Sequence, residues 1–74
     1  MPAQIAIARR ALGWTQARLA AEAGVHPKAV AYWERQGDPT HRQLHTNGAP
    51  YRIRAVLIRE GVTFEPDRVI ITRP

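Results

Sequence analysis

"TQARLAAEAGVHPKAVAYWE", residues 15–34, breaks an alanine-rich helical run with one glycine and then restarts it. Ahead of Gly24, the residues Leu19, Ala20 and Ala23 recur at the spacing that lines one helix face, with Arg18 and Glu22 on the other. Thr15 is placed to cap this helix through its hydroxyl. Gly24 is placed to end it, because a left-handed turn conformation is resisted by residues with a side chain. Pro27 suits the first position of the next helix, where its missing N–H is not needed. Val30 and Trp33 continue an inner face until Gln36-Gly37-Asp38-Pro39 closes the run.

Two short helices that meet at a sharp glycine turn can stand nearly perpendicular, as in a helix-turn-helix. In that geometry Ala20 must be small at the closest crossing, and Val25, Val30 and Trp33 fill the wedge between the helices. With Gln16 opening the unit, the pattern is Q-x-x-L-A-x-x-A-G-V-x-x-x-x-V-x-x-W-E.

Working outward, Ile5, Ala8 and Leu12 predict a preceding helix, with Pro2 in its first turn and Gly13 as its stop. Residues 38–49, "DPTHRQLHTNGA", are the least patterned stretch, with a short helical turn around His41–His45. A further helix is expected from near Pro50 to Glu60, closed by Gly61, with two apolar stripes. One is Ile53, Val56 and Leu57; the other is Tyr51, Ala55 and Ile58. The last segment turns rich in β-branched residues and predicts short strands at 62–64 and 69–72 around a turn at Glu65-Pro66-Asp67. The fold class is therefore mainly α, a small four- or five-helix bundle with a helix-turn-helix and a short C-terminal β element. Residues 1–74 make one domain, with 50–74 as its dimerisation helix and strand.

Composition narrows the chemistry. A chain of 74 residues has one small core and no room for a deep enclosed pocket. The net charge is +5 and the sequence pI about 11.1, a balance that favours a polyanionic partner. Cysteine and serine are absent, so thiolate metal sites, disulfides and the usual nucleophiles are excluded. The few acids are scattered and no phosphate loop is visible, so no enzyme is expected. No apolar run is long enough to span a bilayer. Arg9-Arg10 is not followed by a secretory apolar stretch, so the chain reads as cytoplasmic.

Residues 15–34 resemble the helix-turn-helix of the lambda-repressor-like (Xre/Cro-type) regulators of bacteria and phage. The likeness extends back through "ARRALGWTQ" and, more loosely, forward to "IRAVLIREGVTF". It implies a compact, usually dimeric bundle whose third helix, residues 27–35, enters the DNA major groove. Carried over by position, the groove-facing residues are His26, Pro27, Lys28, Ala29 and Tyr32. Thr15 and Gln16 match the family's phosphate contacts, and Arg9 and Glu34 its structural ion pair between first and third helices. Arg18 departs from the pattern, replacing an acidic residue that would complete a capping box, and adds a phosphate contact instead.

The residues themselves agree with this. Val30 and Trp33 point inward, which leaves Lys28 and Tyr32, four apart, on one exposed face. Lys28 can donate to guanine O6/N7 or to phosphate, and Pro27 and Ala29 can touch a thymine methyl. Arg35 and Arg42 join Arg18 as expected phosphate contacts. His41 and His45 have a spacing compatible with metal binding, but a third ligand would have to come from Asp38, His26 or a partner chain; phosphate or solvent contact is favoured, and no metal or cofactor is expected.

The expected function is a sequence-specific homodimeric repressor on double-stranded DNA, blocking a palindromic operator. Its dimer interface would comprise Tyr51, Ala55, Ile58, Val69, Ile70 and Ile71. Strand 69–72 either pairs across the dyad or folds back as a hairpin on its own core. The alternative function is an antitoxin-type module that neutralises a protein partner through its C-terminal segment. A phage or mobile-element control protein fits the size.

Overall fold

The computed structural model describes residues 4–36 and 48–72. The order is α1 (Gln4–Ala11), α2 (Gln16–Ala23), α3 (Pro27–Gln36), α4 (Ala49–Arg59), β1 (Val62–Glu65) and β2 (Arg68–Ile71). Pro2 and the expected helical turn around His41–His45 lie outside the described residues.

The helix ends follow from local chemistry. At the end of α1, Gly13 N–H donates to Arg10 O at 3.0 Å and Trp14 N–H to Arg9 O at 3.1 Å. Thr15 then caps α2, its hydroxyl oxygen accepting from Arg18 N–H at 3.0 Å. At the other end of α2, Gly24 N–H donates to Ala21 O at 3.3 Å and Val25 N–H to Ala20 O at 3.0 Å. This paired closure satisfies two terminal carbonyls and requires a left-handed residue, which Gly24 supplies at φ 70°. The interrupted run of residues 15–34 is thus two helices joined by a three-residue turn.

Every helix sends at least one fully buried side chain to a single core: Ile5 from α1, Leu19 from α2, Val30 from α3, Ile53 and Leu57 from α4. Ala8, Leu12, Trp14, Ala20, Ala23, Val56 and Val62 complete it, with Val25 and Trp33 packed on its edge. Burying one such aliphatic side chain contributes about 1.5–3 kcal/mol. The small residues Ala8 and Ala20 are fully buried, as close helix approach requires.

The C-terminal strands form an antiparallel hairpin with Val62 opposite Ile71 and Phe64 opposite Val69. These four residues share one face, and that face packs against the core. The tail therefore folds back on its own chain. Val69 and Ile71, assigned from sequence to a dimer interface, are used by the intramolecular core, while Ile70 stays on the outer face beside Thr63. The strands also start and end slightly differently from expectation, because the turn itself is only Pro66-Asp67.

Two side chains fasten the hairpin. The amide nitrogen of Gln4 donates to the carbonyl oxygens of Glu65 and, at 3.2 Å, Arg68. The Arg54 guanidinium lies over the Phe64 ring, 4.3 Å from its centroid.

Candidate nucleic-acid interface

The first and third helices are joined at the base of the turn by a charged network. Arg9 Nε donates to Glu34 Oε2 at 2.6 Å and Arg9 Nη2 to Oε1 at 3.1 Å, a two-pronged guanidinium–carboxylate contact. Arg9 Nη1 also donates to Trp14 O at 2.8 Å, so one guanidinium ties α3 to the α1–α2 junction. The side chains are only 11% and 7% exposed. Burial pushes the Glu34 carboxyl up, but hydrogen bonds from Arg9 and Gln16 and the charges of Arg9 and Arg10 more than offset it. The group ends below the usual glutamate range. The expected Arg9–Glu34 pair is present.

Gln16 belongs to the same network, which sequence reasoning missed. Its Nε2 donates to Glu34 Oε1 at 2.9 Å, so the residue expected to hold phosphate also holds the recognition helix. A carboxamide nitrogen carries two N–H bonds, of which this contact uses one. The backbone N–H groups of the first turn of α2, which a helix leaves without carbonyl partners, lie beside it.

Arg18, in the same first turn of α2, is exposed, with its guanidinium 4.5 Å from the Trp14 ring centroid. The stacking orders a side chain that would otherwise sample many rotamers, at the start of α2 where an anion is favoured. Their four-residue separation spans the turn between α1 and α2, so helical periodicity gave no sign of the contact.

On α3, His26, Pro27, Lys28, Tyr32 and Arg35 are exposed and Ala29 is half-buried. Lys28 and Tyr32 do share the outer face, and Tyr32 is fixed by an edge-on contact with Trp33, ring centroids 5.2 Å apart. Arg42 lies outside the described residues. Tyr51, Ala55 and Ile58 line the exposed side of α4, as their spacing predicts, with Tyr51 46% and Ile58 53% exposed.

The charge pattern has a direction. Glu22 and Glu60 are paired with Arg59, Glu34 with Arg9, and Glu65 with Arg68. Arg10, Arg18, Lys28, Arg35, Arg52 and Arg54 form no ion pair among the described residues. The uncancelled charge of the α1–α3 unit therefore sits on and beside the exposed helix pair. Such a surface can hold phosphates through arginines and helix starts while an exposed helix reaches base edges.

A helix pair closed by a glycine turn, with one face of its second helix exposed beside cations that have no ion pair among the described residues, defines a helix-turn-helix of the DNA-binding class. The family model HTH_3, helix-turn-helix, matches residues 5–41, half of the chain. The chain belongs to this family of Xre or lambda-repressor-like regulators, and is a DNA-binding regulator of transcription. The family is not typically enzymatic. No curated protein and no solved structure matches the chain. No helix among the described residues is long and apolar enough to cross a membrane.

Proposed function

We propose that the chain is a sequence-specific, homodimeric repressor that acts in the cytoplasm by occupying a palindromic operator. The observation that carries this reading is the outer face of α3, where Lys28 and Tyr32 stand exposed on a unit whose Arg10, Arg18 and Arg35 form no ion pair among the described residues. Thr15, Gln16 and Arg18 at the start of α2, with Arg35, position the duplex by its phosphates. His26, Pro27, Lys28, Ala29 and Tyr32 select the site, and occupancy excludes polymerase.

Binding to the DNA upstream of the chain's own gene, against a scrambled duplex across a salt series, tests the reading. Both affinities fall with salt, and a preference of about a thousandfold or more survives at physiological salt if bases are read. Equal affinities would overturn sequence-specific repression. Lys28→Ala is expected to weaken operator binding roughly tenfold, consistent with one base or phosphate contact. If it lowers affinity for both duplexes equally and reduces the salt slope by about one, Lys28 holds phosphate rather than a base.

The exposed stripe of Tyr51, Ala55 and Ile58 supports the dimer, because apolar surface of this kind on a small domain favours self-association. A two-fold pair would set two α3 helices about 34–36 Å apart, on successive major grooves. Ile70 extends the apolar surface on the outer hairpin face. Deleting 67–74 would be a poor test, since it removes Val69 and Ile71 from the core. Ile58→Asp changes an exposed residue instead. Light scattering should show monomers whose circular dichroism retains the helical fold; a variant that stays dimeric excludes this stripe.

A further inference from the structure

His26 stands immediately before Pro27, the first residue of α3, and its ring is exposed. Its Nδ1 accepts a hydrogen bond from Lys28 N–H at 3.0 Å. This is the bond that an N-cap side chain makes to the second residue of a helix, supplied here by an imidazole instead of a hydroxyl or carboxylate. The neighbouring donors at this helix start are accounted for as well. Pro27 has no N–H, and Ala29 N–H donates to His26 O at 2.8 Å. The start of α3 therefore offers almost no backbone donors, in contrast with the start of α2, and recognition at this edge falls to side chains.

The cap fixes the chemistry of the ring. A nitrogen that accepts a hydrogen bond carries no proton, so the neutral imidazole must hold its single proton on Nε2. Which ring nitrogen is protonated is set by the bond the other one makes. Nε2 is the outer atom of the capped ring, at the leading edge of the helix that carries Lys28 and Tyr32.

We propose that His26 is a specificity-determining residue whose Nδ1 caps the recognition helix and whose Nε2–H is thereby presented to DNA as a hydrogen-bond donor. This rests on the operator-binding function proposed above and adds the chemistry of one contact. The group opposite His26 must be an acceptor: a purine N7 or guanine O6 in the major groove, or a phosphate oxygen. Bases that present only an amino group there are disfavoured, because the capped ring has no free acceptor. One side chain thus couples the start of the reading helix to what it reads.

The test separates cap from reader with two variants. His26→Ser keeps a capping oxygen and removes the outward donor; His26→Ala removes both. Melting of His26→Ser should stay within a few degrees of wild type, while His26→Ala loses about 4–8 °C, the shift expected for one lost cap in a domain this size. Both variants should lose roughly tenfold in affinity for a duplex that wild-type protein selects from a randomised pool. Substituting 7-deazapurines one at a time, and methylphosphonates one at a time, locates the acceptor. The modification that weakens wild type but not His26→Ser marks the contacted atom as base or phosphate.

Long-range proton–nitrogen NMR of the free protein should show the proton on Nε2; a proton on Nδ1 overturns the cap. A retained preference for the selected duplex with unchanged His26→Ser binding overturns the reader alone. Equal wild-type affinity for selected and scrambled duplexes would remove sequence-specific binding itself, and the His26 contact with it.

Discussion

Glu34→Ala is expected to remove a large share of the fold's stability, although the residue contributes nothing to the hydrophobic core. Its carboxylate accepts from Arg9 Nε, Arg9 Nη2 and Gln16 Nε2, and its side chain is 7% exposed. Truncation leaves the Arg9 guanidinium, itself 11% exposed, without its counter-charge. Breaking a buried pair from one side costs about 3–5 kcal/mol, mostly the penalty of the stranded charge. A domain of this length has only about 4–11 kcal/mol of stability in total. Urea unfolding followed by circular dichroism measures the loss directly, and a variant within about 1 kcal/mol of wild type would show the pair to be dispensable.

The same carboxylate gives a pH signature. Its pKa is lower folded than unfolded, so its stabilisation is complete above the unfolded value, about 4.3, and is lost as pH falls through the folded one. Wild-type melting temperature should therefore drop on acidification below about pH 4.3, and Glu34→Gln should show a shallower drop from a lower starting point. An equally steep drop in Glu34→Gln would assign the acid sensitivity to other carboxylates.

Gly61→Ala is the second large effect, and Gly24→Ala is its internal control. Both glycines have left-handed backbone conformations, φ 96° and 70°. A Cβ at Gly24 would meet nothing within 4 Å, so alanine there incurs only the conformational cost, about 1–2 kcal/mol. At Gly61 it would lie 2.1 Å from the carbonyl oxygen of Thr72, whose own N–H donates to Gly61 O at 2.8 Å. The atom in the way is backbone, so the hairpin must separate from the end of α4. Adding the lost hydrogen bond and disturbed packing brings the cost to about 3–4 kcal/mol. Equal destabilisation of the two variants would mean that the close approach to Thr72 does not constrain the fold.

The helix pair was legible because each of its features is local. Thr15, Gly24 and Pro27 act within a few residues of themselves, and the inner faces of α2 and α3 repeat at helical spacing. The stripe of Tyr51, Ala55 and Ile58 could be separated from Ile53, Val56 and Leu57 by period alone. What could not be read were contacts between residues far apart in sequence, or across a turn. Gln16 reaches Glu34, Gln4 reaches the carbonyls of the hairpin turn, and Arg54 covers Phe64. The His26 cap was local but hidden for another reason: histidine is not among the usual capping residues, and its ring orientation decides whether Nδ1 can serve.

The sequence by itself determined the four helices of the described residues, the stops of the first, second and fourth, the helix-turn-helix and the side of α3 that faces outward, because periodicity and capping are short-range properties of the chain. Only the tertiary structure decided where the tail goes. Val69–Thr72 reads as apolar on both faces, and periodicity cannot say whether such a strand meets its own core or a second chain. The register of Val62 with Ile71 and of Phe64 with Val69 turned one face inward, onto a core that four helices leave open beside α1 and α4. Likewise, the sequence marks Gln16 and Arg18 only as expected phosphate contacts; their neighbours Glu34 and Trp14 make one also a brace and the other an ordered cation.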